Sequence, residues 1–280
     1  MDAPLYPKRR RPGLSAPLPG SGLHSARSSV ALKNVGAVLL DIEGTTTPVD
    51  FVHQTLFGHA RARVSGFLQR QWNDPQVRAD VIRLEAEHAA DSSEPQRKDG
   101  KDGKDGKDGT PPPWRDDAAG VVSYVQWLMD RDRKSTGLKS LQGKIWDEGY
   151  RTGELKGEVY PDVPPALERW RRQGIDIAIF SSGSVQAQRS LFASTSAGDL
   201  TRYLRSYFDT TTGPKTVPES YARIAAALER SPSEVLFLSD IAAELDAALT
   251  AGMQTGLCVR KPGAASSGGA HPVIRTFDQL

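Results

Sequence analysis

Cysteine is almost absent from this chain of 280 residues: Cys258 stands alone. That excludes a disulfide within the chain and a Cys-rich zinc site. It fits a reducing compartment, the cytoplasm or, in a eukaryote, the nucleus. No apolar run approaches the roughly 20 residues that a membrane-spanning helix needs, so no membrane partner is expected. A strong charge bias is lacking too, since Lys and Arg number 36 against 34 Asp and Glu, a net charge of +2. The charge is unevenly placed: residues 1–34 hold Lys8, Arg9, Arg10, Arg11, Arg27 and Lys33 against Asp2, which leaves −3 for the remainder. A mildly acidic remainder gives no reason to expect nucleic acid as a partner.

What is present divides the chain into unequal parts. Residues 1–34 are rich in Pro, Ser, Arg and Gly and poor in large apolar side chains, which predicts a disordered basic tail. Its composition also resembles an organelle transit peptide, although its prolines oppose an amphipathic helix. Four Lys-Asp-Gly triplets run from Lys98 to Gly109 and lead into Pro111–Pro113. Residues 98–113 are therefore expected to form a flexible loop, because collagen would need proline and many more triplets. Apolar residues at helical spacing around this loop predict helices in 52–72 and from Val77 onward, then in AAGVVSYVQWLMDRD and LKSLQGKIWDEGY.

The stretch VGAVLLDIEGTTTP, residues 35–48, has the character of a buried strand that stops abruptly in acid. Val38, Leu39 and Leu40 form the apolar run. Asp41 and Glu43 follow on one side of the chain, because strand side chains alternate. From Pro161 onward strand and helix patterns alternate: a helix opened by prolines and closed by Gly174, IDIAIF, VQAQRSLF, the short YFDT, a helix after Lys215, EVLFLSD, IAAELDAALTAG and a last strand, TGLCVR. This alternation predicts an α/β doubly wound parallel sheet with helices on both faces. Residues 35–51 and 159–280 would form the core, and residues 52–158 an inserted helical cap.

In such a sheet the carboxyl ends of the strands share one rim, where ligands bind. Asp41 with Glu43, Ser181 and Ser182 before Gly183, Lys215, and Asp240 could all converge there. The set suits phosphoryl transfer: an aspartate nucleophile, a second carboxylate as acid and base, oxygen ligands for Mg²⁺, and hydroxyl, N–H and ammonium groups for phosphate. Each residue also has a plainer reading. Asp41 could be a solvated turn residue, Ser181 and Ser182 helix caps, Lys215 a surface lysine, and Asp240 a cap for the helix after it. Glu244 and Asp246 read as acids favoured by a helix N-terminus, and His53 and His59 as structural or surface residues.

The order Asp-x-Glu-Gly-Thr, strand-Ser, loop-Lys, strand-Ser-Asp, with a helical insert after the first, resembles the haloacid dehalogenase superfamily of phosphatases. The resemblance covers residues 35 to about 261. Glu43 stands where that superfamily usually has Asp. LLDIEGTTTPVDFV, LKSLQGKIWDEGY, FSSGSVQAQRSLF and FDTTTGPK…ESY are similar to its enolase-phosphatase (acireductone synthase) branch, which carries Glu there. The basic tail, the KDG run and Thr216–Pro218 depart from the pattern without touching a motif position.

The resemblance implies a Mg²⁺-dependent enzyme of methionine salvage, expected as a monomer, acting on a small phosphate substrate, 2,3-diketo-5-methylthiopentyl 1-phosphate. It implies Asp41 as nucleophile and metal ligand, and Glu43 as acid/base with its main-chain carbonyl on the metal. Asp240 would complete the metal site, and Ser181, Ser182 and Lys215 would bind phosphate. Another phosphatase of the superfamily and a non-catalytic protein of the same fold are the alternatives.

Overall fold

The computed structural model describes residues 34–93, 109–133, 135–261 and 269–280. The expectation for the basic tail falls almost wholly outside these residues, and that for the loop of 98–113 does so up to residue 108. At the centre lies β1 (Ala37–Leu40), flanked in parallel by β2 (Asp176–Phe180) and β4 (Val235–Ser239). Leu40 pairs with Ile179 on one side and Leu238 on the other. With β3 (Ser206–Phe208), β5 (Gln254–Cys258) and β6 (Val273–Ile274), the sheet order is β3-β2-β1-β4-β5-β6. Here TGLCVR is not the last strand. β6 is only two residues long, too short to show an alternating pattern in sequence.

Alternation along the strands sorts the core into two faces. Val38, Leu40, Ile177, Ile179, Leu236 and Leu238 point to one side. There they meet α5 (Val163–Arg172) and α6 (Val185–Ala193) through Leu167, Trp170, Leu191 and Phe192. Leu39, Phe180 and Phe237 point to the other side. They pack on α7 (Pro218–Ala227) and α8 (Ala242–Thr250) through Tyr221, Ile224 and Leu245. The strands are therefore covered on both faces, which is why they read as continuous apolar runs. Strand order reverses direction at β1, and that places the rim crevice beyond Leu40.

Residues between β1 and α5 form a second layer. A six-residue π-helical turn, Phe51–Leu56, leads into α1 (Phe57–Gln71), and α2 (Pro75–Ser93), α3 (Ala118–Asp130) and α4 (Thr136–Thr152) follow. They bury an apolar cluster of their own, with Leu68, Leu84, Val121, Leu128, Leu141 and Ile145. Ser135 caps α4, and the Glu87 carboxylate accepts from the N–H groups of Thr136 (2.9 Å) and Gly137 (3.2 Å). An acid there suits the positive end of the helix. Links lead back to the core through Leu56, which packs in the sheet-side cluster, and through α6. Trp146 donates to the Leu56 carbonyl at 2.7 Å, and Asp147 on α4 accepts from Gln186 (3.0 Å) and Ser190 (2.7 Å) on α6.

Candidate active site

Asp41 is the first residue beyond β1, and its N–H extends the ladder by donating to Leu238 (3.0 Å). Its side chain is buried rather than solvated, so the reading of Asp41 as a solvated turn residue fails. The Lys215 ammonium donates to Asp41 Oδ1 at 2.6 Å and to Glu244 Oε2 at 2.6 Å. Glu244 Oε2 also accepts from Ser239 Oγ at 3.0 Å. The chain thus gathers the end of β1, the loop before α7, the end of β4 and the first turn of α8 around one ammonium.

The lysine is held from behind. Tyr221 Oη on α7 donates to the Lys215 carbonyl (2.6 Å), and Ser220 Oγ donates to the Pro214 carbonyl (2.8 Å). Lys215 is therefore not a surface lysine; its side chain is 10% exposed. Glu244 needs the opposite correction. Read from sequence as an acid at a helix N-terminus, it is half of the Lys215 anchorage. No sequence signal marks this role, because an acid in a first helical turn already has a local explanation. Asp246 points elsewhere, toward His271 Nε2 at 3.1 Å.

Asp240 follows β4 and does not cap α8, where Ile241 holds the cap position without a side-chain bond. Gly44 lies against it. A Cβ on Gly44 would stand 2.2 Å from Asp240 Oδ2, and its φ of +69° is in the left-handed region. Both facts require glycine after Glu43. Just beyond β2, Ser181 is buried and its hydroxyl accepts from the Gly183 N–H at 3.2 Å. Ser182 is exposed. Neither caps α6; Ser184 does, accepting from Ala187 at 3.2 Å. Gln188 braces this turn, donating to the carbonyls of Gly183 (2.8 Å) and Phe208 (2.9 Å).

Burial dominates the electrostatics. It pushes the Asp41 carboxyl up from its ordinary pKa, and Lys215 pulls it part of the way back. Glu43 is raised by burial and then by the Asp41 charge. Asp240 is raised to about 6 for the same two reasons. Glu244 is raised by burial, against the pull of Lys215. Burial works against the Lys215 ammonium as well, but Asp41 and Glu244 outweigh it and its pKa rises.

A cleft of about 1240 Å³ separates the rim from the helical layer. Glu43, Ser181 and Ser182 stand on its wall, whereas Asp41, Lys215 and Asp240 do not. The facing side sets an apolar patch, Leu56, Phe57, Leu138 and Trp146, among polar and charged residues that include Arg61, Lys139 and Lys144. His53 also reaches this wall, its ring edge-on to Phe57 at 5.5 Å.

As a metal site the rim offers the Asp41 and Asp240 carboxylates, with the main-chain carbonyl of Glu43 between them in sequence. Among the described residues no three His, Cys, Asp or Glu side chains gather as a closed metal cage. Two carboxylates whose charges act on each other in a buried place suit a hard divalent cation that keeps several waters.

Comparison with known proteins shows what the whole chain is similar to. The model of the haloacid dehalogenase-like hydrolases matches residues 35–252. The chain is 51% identical to enolase-phosphatase E1 of Synechococcus elongatus, over 88% of this chain and 98% of that protein. It is 46% identical to enolase-phosphatase E1 of Sorangium cellulosum, covering 87% and 96% of the two chains. With enolase-phosphatase E1 of Drosophila melanogaster it shares 43% identity, over 82% and 84%. Among solved structures it is similar to the UTR4 protein of Saccharomyces cerevisiae, with a TM-score of 0.67, 33% identity, and coverage of 88% and 100%.

Proposed function

The chain belongs to the haloacid dehalogenase-like hydrolases, within their enolase-phosphatases, and from that premise we propose that it converts 2,3-diketo-5-methylthiopentyl 1-phosphate to the acireductone 1,2-dihydroxy-3-keto-5-methylthiopentene and phosphate. The observation that carries this reading is the pair Asp41 and Glu43: one buried carboxylate held on Lys215, the next on the cleft wall with its basicity raised. An enolase-phosphatase needs two different carboxylates, one nucleophilic and one basic, within reach of one substrate. Here the environments of the two differ accordingly.

In the first step the Glu43 carboxylate takes a proton from the carbon that bears the phosphate. The electrons of that C–H bond form the carbon–carbon double bond, and Glu43 returns the proton to the neighbouring carbonyl oxygen, giving the enol. Burial and the charge of Asp41 make Glu43 a stronger base than an exposed glutamate. In the second step an Asp41 carboxylate oxygen attacks phosphorus, and the bond from phosphorus to the enol oxygen breaks. This leaving group is more acidic than an alkanol and needs little protonation. Water, deprotonated by Glu43, then attacks the aspartyl-phosphate, releasing phosphate and restoring Asp41.

Lys215 favours the ionised, nucleophilic form of Asp41 and places positive charge beside the phosphoryl group as its charge redistributes. Glu244 and Ser239 fix Lys215. Ser181 and Ser182, at the turn before α6, bind phosphate oxygens. Phosphatases of this class generally require magnesium; Asp41, Asp240 and the Glu43 carbonyl would hold it, and there it would neutralise phosphate charge. In the same reading residues 35–51 and 159–280 are the core, and the helices of 52–158 form a lid whose apolar patch receives the methylthio chain and excludes water.

The test supplies the diketone phosphate with Mg²⁺ to the purified protein and follows enol absorbance and phosphate together. Enol is expected first, then stoichiometric phosphate. Phosphate release from many simple esters without enolisation of the diketone overturns the assignment in favour of a general phosphatase. Asp41→Asn should lower phosphate release by about four orders of magnitude or more, the scale for loss of a nucleophile, and let enol accumulate. Glu43→Gln should stop solvent-deuterium entry at the phosphate-bearing carbon, and undiminished exchange removes Glu43 as the base.

A further inference from the structure

Arg260 lies two residues beyond β5, and its side chain is only 5% exposed. Its guanidinium donates twice to one acceptor, the main-chain carbonyl of Thr45, from Nε at 2.9 Å and from Nη2 at 2.7 Å. Nη1 donates to Asp162 Oδ2 at 2.6 Å and to the Arg275 carbonyl at 3.3 Å. The guanidinium lies against two rings, Phe277 at 4.2 Å and Tyr160 at 4.7 Å. Asp162 Oδ2 also accepts from the Phe277 N–H (2.6 Å) and from Thr276 Oγ (3.2 Å). A planar fork has one orientation that satisfies all of these at once.

Its partners are the two stretches of chain that join the helical layer to the sheet, together with the C-terminal segment at Arg275 and Phe277. Thr45 lies on the outgoing path, two residues after Glu43. Tyr160 and Asp162 lie on the returning path, where the Tyr160 N–H donates to the Thr46 carbonyl at 2.9 Å. Between Asp41 and Thr47 the loop is wound on itself: the Ile42 carbonyl accepts from Thr45, Thr46 and Thr47, and Gly44 donates to the Thr47 carbonyl at 2.8 Å. A loop so tight moves as a unit, and its external main-chain anchors are at Thr45 and Thr46. Asp41 is fixed by the strand ladder and by Lys215, and shares one bond with the loop, from Thr46 Oγ to its carbonyl at 3.2 Å.

We propose that Arg260 is a positioning residue for Glu43: by clamping the Thr45 carbonyl to the returning linker at Asp162, it sets where the Glu43 carboxylate meets the substrate, while leaving Asp41 to the sheet. The inference rests on the enolase-phosphatase reading and assigns Arg260 to its proton-transfer half. Displacement of a reacting group by about 1 Å can cost about 100-fold. Loosening this clamp should therefore slow enolisation far more than phosphoryl transfer.

The test is Arg260→Lys, which keeps the charge but cannot hold Thr45 and Asp162 in a fork. Single-turnover reactions with the diketone phosphate resolve enol formation from release of the acireductone, and the thermal midpoint is measured alongside. Enol formation is expected to slow by about 10- to 100-fold, with solvent-deuterium exchange at the same carbon falling in parallel. Release of the acireductone, which reports the attack of Asp41 on phosphorus before Glu43 is needed to activate water, is expected to slow at least about tenfold less than enol formation. Equal loss in both steps, or no loss in either, overturns the proposal, because a merely structural arginine lowers both together. Should Arg260→Lys fail to fold, Asp162→Asn carries the test, with the same asymmetry expected at smaller size and proportional loss again overturning it. A wild-type protein that turns over no diketone phosphate is a different result: it sinks the enolase-phosphatase reading itself.

Discussion

Lys215 is 10% exposed, and its partners Asp41 and Glu244 are 7% and 13% exposed. In the helical layer Arg63 is 56% exposed and faces Glu154 at 45%, and Arg115 at 63% faces Asp117 at 49%. The same pairing of base with acid thus occurs in two settings. At the rim each charge has left water and depends on its partner, so removing one leaves the others exposed to the full cost of burial. Across the outer faces of the helices each charge keeps most of its hydration, and the pair adds little. Removing one charge should therefore have a large effect at the rim and a small one on the helices.

The sharpest way to break that comparison is Lys215→Met. Asp41 and Glu244 then lose the ammonium that opposes the effect of their burial. The expected cost is about 3 kcal/mol, near the lower end for breaking a buried pair. The sign with pH follows from the carboxylates. Without Lys215 their folded pKa values rise further above the unfolded ones, so stability is retained at acid pH, where both states are protonated, and lost as pH rises. Urea unfolding at pH 5 and pH 8 checks this; an equal deficit at both pH values would falsify the account.

Next in size is Asp240→Asn, measured on metal-free protein in chelator. Asp240 titrates in the folded chain at about 6, raised by burial and by Asp41, against about 3.9 in an unfolded one. Between these values the folded protein holds a proton that the unfolded chain releases, so stability falls as pH rises through the window. The neutral asparagine removes that loss. After discounting for partial exposure, a gain of about 1 kcal/mol is expected at pH 7, vanishing below pH ~3.9, while phosphatase activity, assayed separately with Mg²⁺ supplied, is lost. A destabilised Asp240→Asn would show that this carboxylate is not crowded.

How much of this could be seen beforehand depended on whether a residue's partner was near it in sequence or in main chain. β1 and Asp41 were legible because a strand buried on both faces has no polar side chain until it ends. Glycine at 44 was visible, but its reason was not: the contact is with Asp240, almost 200 residues away in the chain. Glu244 was misread because an acid in a first helical turn has a sufficient local explanation. Only the fold shows that Lys215 occupies the same space. Arg260 carried no signal at all, since its principal acceptor is a main-chain carbonyl that any residue at position 45 would supply. β6 was missed for want of length, and the turn at Phe51–Leu56 was read as part of a helix without its π-helical winding.

The smallest expected effect tests the other side of the comparison. Arg63 Nη2 lies 3.1 Å from Glu154 Oε2, joining α1 to the segment just after α4. Arg63→Ala should cost less than about 0.5 kcal/mol, since exposed pairs gain little Coulomb energy and must order two long side chains. That cost should vanish in about 1 M salt, where the screening length falls to roughly 3 Å. The helical layer is not uniformly of this kind: Asp80 on α2 is fully buried and is met by Lys144 and by Arg83 at 3.0 Å. Exposure rather than location is therefore the variable under test. Urea unfolding of Arg63→Ala at low and high salt decides it. A loss above about 1.5 kcal/mol, beyond the usual range for an exposed pair, would mean that the Arg63–Glu154 contact holds the segment leaving α4 in place. The rim and the helices would then differ in degree only.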